Sequence, residues 1–309
     1  MTGALLRPLL GLVTGLALTV ALLPGPVSAA PVGPHWLGTS CGGGVREDQA
    51  VALAAGRPVK VILEDWACDD PATLRRAVEA GAGPVVLRTG DGMDGVDWAR
   101  IRRLVEEPRG SGDSYAAVIR DHPATAFWLE IGNEPNYAFD DPWVARWWTI
   151  AAIRELADNA AGHLSAPWRV TYPNLRYAAS MPVAGAAGWT TADWTRIMLQ
   201  WLPGQDLGSG GVLDWADGIA LHLYGPDGDL RPPAQTHTVV ERIALDSPWL
   251  KRVLYTEVGI WEGDTCRQEA MIAAGPWPEQ TVAVIRFIAW EGAPWPEYAF
   301  DHWCGRGGD

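Results

Sequence analysis

Basic residues are scarce in this sequence. Lys and Arg number 24 against 37 Asp and Glu, and the formal net charge is −13 with no Lys/Arg-rich stripe to offset it. A chain of this charge repels polyanions, so nucleic acid is excluded as a partner. Cysteine is also rare, and the four cysteines lack the paired spacing of a zinc site. No metal or other cofactor is therefore expected.

Two sequence motifs of common enzyme classes are missing as well. The chain has no H-E-x-x-H metalloprotease motif. Gly42-Gly43-Gly44 is not followed by the Lys-Ser/Thr of a phosphate-binding loop. Tryptophan, by contrast, is abundant with 18 residues. Many of these rings will lie in the core, and those in loops after strands suit the apolar face of a sugar ring.

Long apolar runs are confined to the N terminus. Arg7 precedes an apolar stretch over residues 9–23, and small residues follow at Ser28-Ala29-Ala30. This pattern is typical of a secretory signal peptide cleaved after Ala29 or Ala30. An uncleaved membrane anchor is the alternative, although the run is short and a Pro-Gly-Pro sequence ends it. We predict a signal peptide at 1–30, a secreted extracellular protein, and no membrane association after cleavage.

With 30 residues removed from 309, 279 remain, which is close to the length of one α/β barrel. Short β-rich runs alternate with amphipathic helical runs along this part of the chain. The predicted strands are 35–40, 58–66, 84–89, 127–131, 169–172, 217–224, 252–257 and 297–303. The predicted helices are 46–56, 71–80, 96–107, 114–120, 142–163, 192–202, 233–245 and 278–290.

Eight strands alternating with helices indicate an α/β fold of the (β/α)8 TIM-barrel type, built as one domain over residues 31–309. A doubly wound open sheet is the alternative, but no Gly-rich dinucleotide loop follows the first strand. Only six residues follow Trp303. The final helix is therefore expected to be missing or very short.

The cysteines fall at the ends of predicted strands. An even number in an exported protein suggests two disulfides. Cys41 and Cys68 follow the first two strands, and Cys266 and Cys304 follow the last two. We predict the pairs Cys41–Cys68 and Cys266–Cys304, which is one of three connectivities.

The stretch at 127–136, FWLEIGNEPN, is the most informative part of the chain. An apolar strand ends at Gly132 and delivers Asn133 and Glu134 at its carboxyl end, where barrel enzymes place their chemistry. Glu257 ends the seventh predicted strand in LYTEVG, and would face Glu134 across the barrel. Two opposed carboxylates are what glycoside hydrolysis requires.

Asn133-Glu134-Pro135 after strand four, His222-x-Tyr224 in strand six and Glu257 after strand seven together resemble the clan A retaining glycoside hydrolases. The resemblance covers the strand order of the mature chain and these three motifs. It implies that Glu134 is the acid/base, that Glu257 is the nucleophile, and that Asn133 binds the sugar 2-hydroxyl. It also implies that Tyr224 donates a hydrogen bond to the nucleophile and that His222 lines the same subsite.

Further candidates come from position. Arg88, which ends strand three, is a cation that could keep Glu257 ionised. Trp66 and Trp261 follow strands two and seven and are candidate platforms for a sugar. Trp303 ends the predicted eighth strand, where the clan often places a stacking Trp.

Each of these residues also has a purely structural interpretation. Glu134 could cap the following helix, Glu257 could form a rim salt bridge with Arg88, and His222 and Tyr224 could be core residues.

The sequence therefore predicts a monomeric, β-specific retaining glycosidase that acts on an oligo- or polysaccharide. A catalytically silent carbohydrate-binding barrel and a transglycosylase are the alternatives. The sugar, its linkage and endo or exo action stay open.

Overall fold

The computed structural model describes residues 32–36, 47–63, 70–89, 98–200, 210–225, 236–260, 270, 272–273, 275 and 277–286. The predicted signal peptide and all four cysteines lie outside these residues. No helix among the residues described is long and apolar enough to cross a bilayer.

Eight parallel strands pair in chain order, and the last pairs with the first to close a barrel. The strands are β1 (Val32–Trp36), β2 (Val59–Leu63), β3 (Val85–Thr89), β4 (Phe127–Ile131), β5 (Leu175–Ser180), β6 (Gly218–Gly225), β7 (Val253–Ile260) and β8 (Thr281–Arg286). Helices connect most of these strands, so the fold is the predicted (β/α)8 TIM barrel.

The α-helices whose bounds lie within the described residues are α1 (Glu47–Ala54), α2 (Pro71–Glu79), α3 (Trp98–Glu106), α4 (Tyr115–Asp121), α5 (Pro135–Ala138), α6 (Pro142–Asp158), α7 (Trp168–Thr171), α8 (Thr191–Leu199) and α9 (Thr236–Leu245). Capping chemistry fixes several of their starts. Asp141 caps α6 ahead of a proline, and Thr190 and Asp193 form a capping box on α8.

The prediction of the fifth strand was wrong. Residues 169–171 belong to α7 and Tyr172 is its C-cap, whereas the strand is Leu175–Ser180. Pro167 is the N-cap of this one-turn helix, and the β propensity of Val170 and Thr171, which depends strongly on context, does not decide the local structure. The true strand contains Ala178, Ala179 and Ser180, which are weak strand formers, so its pattern is faint.

The prediction of the eighth strand was also wrong. The barrel closes with β8, which lies inside the segment 278–290 that the apolar spacing predicted as a helix. Val282 and Ile285 fit a helical period, but the β-branched content of Thr281–Arg286 favours a strand. The predicted strand 297–303 lies outside the described residues, and the argument for a missing final helix depended on it.

The barrel has apolar packing on both sides of its wall. A large cluster fills the space between sheet and helices and includes buried tryptophans such as Trp168 and Trp194. Inside the barrel, a smaller cluster consists of Val86, Trp128, Ala178, Ala220 and Leu254. Within this cluster, Trp128 has the one large ring, and Ala178 on β5 and Ala220 on β6 are small enough to leave space for that ring.

Polar residues lie directly above the interior cluster. Arg88, Glu130, His222 and Thr256 each follow a member of that cluster by two positions, so they point the same way along their strands. Lys60 on β2 contacts two of them. These five residues, the inner polar layer, form the floor beneath the carboxyl ends of the strands.

Candidate active site

Glu134 and Glu257 come together at the carboxyl end of the barrel. One carboxylate oxygen of each and one ring nitrogen of His222 all lie within 4.8 Å of one another. The Glu257 side chain is 5% exposed and the Glu134 side chain 17% exposed. The more accessible carboxylate therefore lies in the turn after β4, and the more enclosed one lies in β7.

A β-bulge aims Glu257 into the barrel. Leu221 of β6 pairs with Tyr255, but His222 pairs with Glu257, so Thr256 is an extra residue in β7. Strict alternation after the inward Thr256 would turn the next side chain towards the helices. The bulge instead directs both Thr256 and Glu257 inward, which is a common role of bulges beside active sites.

The backbone after β4 is shaped to present Glu134. Gly132 has φ +84° and donates its N–H to Thr89 Oγ1 at 3.0 Å. Glu134 itself has φ +42°, a left-handed conformation that is uncommon for a residue with a side chain. Its N–H donates to Ser180 Oγ at 3.3 Å. The turn thus uses contacts to both neighbouring strands to hold one strained residue.

The Glu134 side chain does not cap α5. It lies at the N-cap position but makes no side-chain capping hydrogen bond. Its Oε1 is instead 2.7 Å from His222 Nδ1. The helix-capping interpretation of Asn-Glu-Pro is therefore not supported.

Arg88 hydrogen-bonds both to the turn after β4 and to β7. Its Nη1 donates to Asn133 Oδ1 at 2.7 Å and to Glu257 Oε1 at 3.1 Å. The predicted ion pair between Arg88 and Glu257 is present, and it lies inside the site. Because the amide oxygen of Asn133 accepts from Arg88, the amide NH2 group is the donor that Asn133 can offer to a ligand.

His222 is charged well above neutral pH. Burial by itself lowers its pKa, but the charge of Glu257 and the contacts with Glu130 and Glu134 outweigh burial and raise the pKa to about 9. Its Nε2 lies 3.2 Å from Glu130 Oε1. As an imidazolium it donates to Glu130 from one nitrogen and to Glu134 from the other.

Sequence reasoning missed Lys60 and Glu130, which are both fully buried. Lys60 Nζ lies 3.1 Å from Glu130 Oε2 and 3.0 Å from Glu257 Oε1. Burial by itself raises the pKa of Glu130, but the charge of Lys60 and the His222 contact hold it below its ordinary value. A charged residue at an inward position of an apolar strand was the available signal, in VKVIL and FWLEI.

By distance, Glu134, His222 and Glu257 could bind a cation. The protein's own charges oppose this, because Lys60 and Arg88 already neutralise Glu257 and His222 carries a proton. The arrangement is better suited to proton transfer than to holding a metal.

Several predicted site residues cannot be placed. Tyr224 belongs to β6, but its side chain is outside the described part of the structure. Trp66, Trp261 and Trp303 also lie outside it, as do Cys41, Cys68, Cys266 and Cys304. Because β8 is Thr281–Arg286, Trp303 does not end the eighth strand.

No protein-family model matches this chain, and no curated protein matches it.

Proposed function

We propose that the protein is a secreted retaining glycoside hydrolase that cleaves β-linked glycans. The observation that carries the proposal is the pair of carboxylates at the mouth of the barrel, with one oxygen of each within 4.8 Å. Retaining enzymes separate their carboxyl groups by about 5–5.5 Å, and inverting enzymes by roughly 6.5–9.5 Å. The close approach of Glu134 and Glu257 supports the retaining class.

The environments of the carboxylates support different roles. Glu257 accepts from two cations on one oxygen, at 3.0 Å from Lys60 and 3.1 Å from Arg88. Opposite charges this close favour the ionised form that a nucleophile needs. Glu134 faces His222, a proton carrier, and is the more exposed of the two. A carboxylate that is accessible and can exchange a proton with its neighbour suits the acid/base role.

The proposed reaction has two steps. Glu257 attacks the anomeric carbon while Glu134 protonates the glycosidic oxygen, so the C–O bond to the leaving group breaks and a glycosyl ester forms. Glu134, now a carboxylate, then takes a proton from water as the water oxygen attacks the same carbon. The ester bond breaks, Glu257 regains its charge, and the product has the original anomeric configuration.

The test is hydrolysis of aryl β-glycosides, β-glucan, mannan and xylan, with the anomer of the first product followed by NMR. We expect β product. Glu134→Ala and Glu257→Ala should each abolish most activity on unactivated glycans. Azide should rescue the Glu257 variant with an inverted glycosyl azide and the Glu134 variant with a retained one.

The outcomes separate the alternatives. Binding without turnover by the wild type would favour a silent carbohydrate-binding barrel. Transfer of sugar to added acceptor in preference to water would favour a transglycosylase. Near-normal rates in either alanine variant would refute the assigned residues, and the inverted azide from the Glu134 variant would reverse their roles.

A further inference from the structure

The inner polar layer contains an ion pair that no substrate could reach. Lys60 and Glu130 are both 0% exposed, and their Nζ and Oε2 atoms are 3.1 Å apart. Burying two charges is expensive, and an apolar pair of similar volume is often as stable or more so. Stability alone therefore does not explain why charged residues occupy this floor.

Each member of the pair reaches a different carboxylate of the site above. Lys60 contacts Glu257 Oε1 directly at 3.0 Å. Glu130 contacts Glu134 only through His222, because Glu130 Oε1 is 3.2 Å from Nε2 and Glu134 Oε1 is 2.7 Å from Nδ1. The pair thus connects to both proposed catalytic groups by separate routes.

Charged groups surround His222 on several sides. Glu130 and Glu134 approach it from β4 and the turn that follows, and Glu257 Oε2 from β7 at 3.5 Å from Nδ1. Lys60 Nζ on β2 is 3.5 Å from Nε2 and opposes the imidazolium charge. Removing the charge of Glu130 would take the anion away from His222 Nε2 while the Lys60 ammonium stays 3.5 Å from it, so the proton on His222 would be held less tightly.

Building on the proposed function, we propose that Lys60 and Glu130 are positioning residues: one keeps Glu257 ionised, and the other holds a transferable proton on the His222–Glu134 pair. Lys60 keeps Glu257 ionised for attack. Glu130 retains, through His222, the proton that the imidazole shares with Glu134. One buried pair therefore maintains both halves of an acid–nucleophile couple.

The pH dependence of kcat/KM tests this, because the two limbs report different groups. The acidic limb reports protonation of Glu257, and the basic limb reports loss of the proton shared by Glu134 and His222. Lys60→Met should move the acidic limb upward by about one pH unit or more, since a cation in contact with Glu257 is removed. Lys60→Arg keeps the charge and should restore the limb. Glu130→Gln should move the basic limb downward by about one pH unit or more.

A matched control is available outside the barrel wall. Glu241 on α9 is a partly buried carboxylate that accepts from the Tyr255 hydroxyl, away from the inner polar layer. Glu241→Gln repeats the Glu130 substitution there and should leave both limbs in place. Thermal unfolding of each variant checks that it is folded. If a single variant fails to fold, the double variant Lys60→Met/Glu130→Gln removes both charges of the buried pair together.

A second measurement does not need activity. The ring nitrogens of His222 followed by 15N NMR should titrate near pH 9 in the wild type and at lower pH in Glu130→Gln. Absence of turnover by the wild type would refute the proposed function alone. Two results would refute the role of the pair. One is an active variant whose pH profile of kcat/KM matches that of the wild type, and the other is a His222 that titrates at the same pH with and without the Glu130 charge.

Discussion

Arg88→Met tests how the site orients Asn133. Methionine has a similar length but can make neither of the two hydrogen bonds from Nη1, to Asn133 Oδ1 at 2.7 Å and to Glu257 Oε1 at 3.1 Å. Glu257 keeps its contact with Lys60, so the variant leaves no unpaired carboxylate in the interior. The fold should therefore survive the change.

The size of the effect follows from those two bonds. A hydrogen bond to a charged group contributes about 1.5–3 kcal/mol. Two bonds at the lower end of this range sum to about 3 kcal/mol. Both bonds also exist in the free enzyme, so only the part of this energy that is lost from the transition state slows the reaction; at about 1.4 kcal/mol per tenfold in rate, kcat/KM should fall by up to about a hundredfold. Arg75→Met is the matched control, because Arg75 pairs with Asp113 and Asp121 on the outer surface and should leave kcat/KM unchanged.

The assay pairs the variant with a 2-deoxy substrate. Arg88 fixes the Asn133 amide with its NH2 group towards the sugar, so the wild type should discriminate strongly against a substrate without the 2-hydroxyl. In Arg88→Met the amide is free to rotate, and the discrimination should weaken at least about tenfold, which is the coupling expected of contacting groups. Equal losses on both substrates would show that Asn133 does not depend on Arg88, and would refute the reasoning.

Three further substitutions probe the site and its scaffold. The folded-state pKa of His222 is about 9 against an ordinary 6.5, so its contribution to stability is full below about pH 6.5 and is lost as pH rises through about 9. That contribution is of the order of 3 kcal/mol, and thermal unfolding against pH should show the alkaline loss in the wild type but not in His222→Gln. Gly132→Ala places a Cβ 3.3 Å from Trp148 at φ +84°, and should lower both the unfolding free energy, by about 1–2 kcal/mol, and kcat, by displacing Glu134. Unchanged kcat in a destabilised Gly132→Ala would contradict that geometry. Thr190→Ala removes the capping box with Asp193 and should cost about 1 kcal/mol in denaturant unfolding with kcat unaltered.

The strands that place the proposed catalytic residues could be predicted because their patterns are local. Phe127–Ile131 is a short apolar run closed by Gly132, and Gly218–Gly225 and Val253–Ile260 are flanked by turn residues. Strands β5 and β8 could not be recognised in the same way. Ala178 of β5 shares the barrel interior with the Trp128 ring, a contact that no local pattern reveals, and β8 shares its apolar spacing with a helix.

The inner polar layer shows the other limit of sequence reasoning. Lys60 and Glu130 are separated by 70 positions, and nothing local indicates that they pair. The bulge at Thr256 could not be predicted from the sequence either, because it depends on the register between β6 and β7. Strand order predicts which carboxylates face each other, whereas contacts within the barrel depend on register and packing.

The pairing of β1 with β8 has a consequence for how the chain is made. Val32 pairs with Val284, so the contact that closes the barrel spans 252 positions. Contacts between residues this distant in sequence form slowly, and β1 cannot pair with β8 until synthesis has passed residue 286. Until then β1 and β7 both carry unpaired backbone edges, which are templates for aggregation. Chains that end before Thr281 lack β8 and should therefore be insoluble. Comparing the soluble fraction of chains that end before and after β8 would measure the effect of barrel closure.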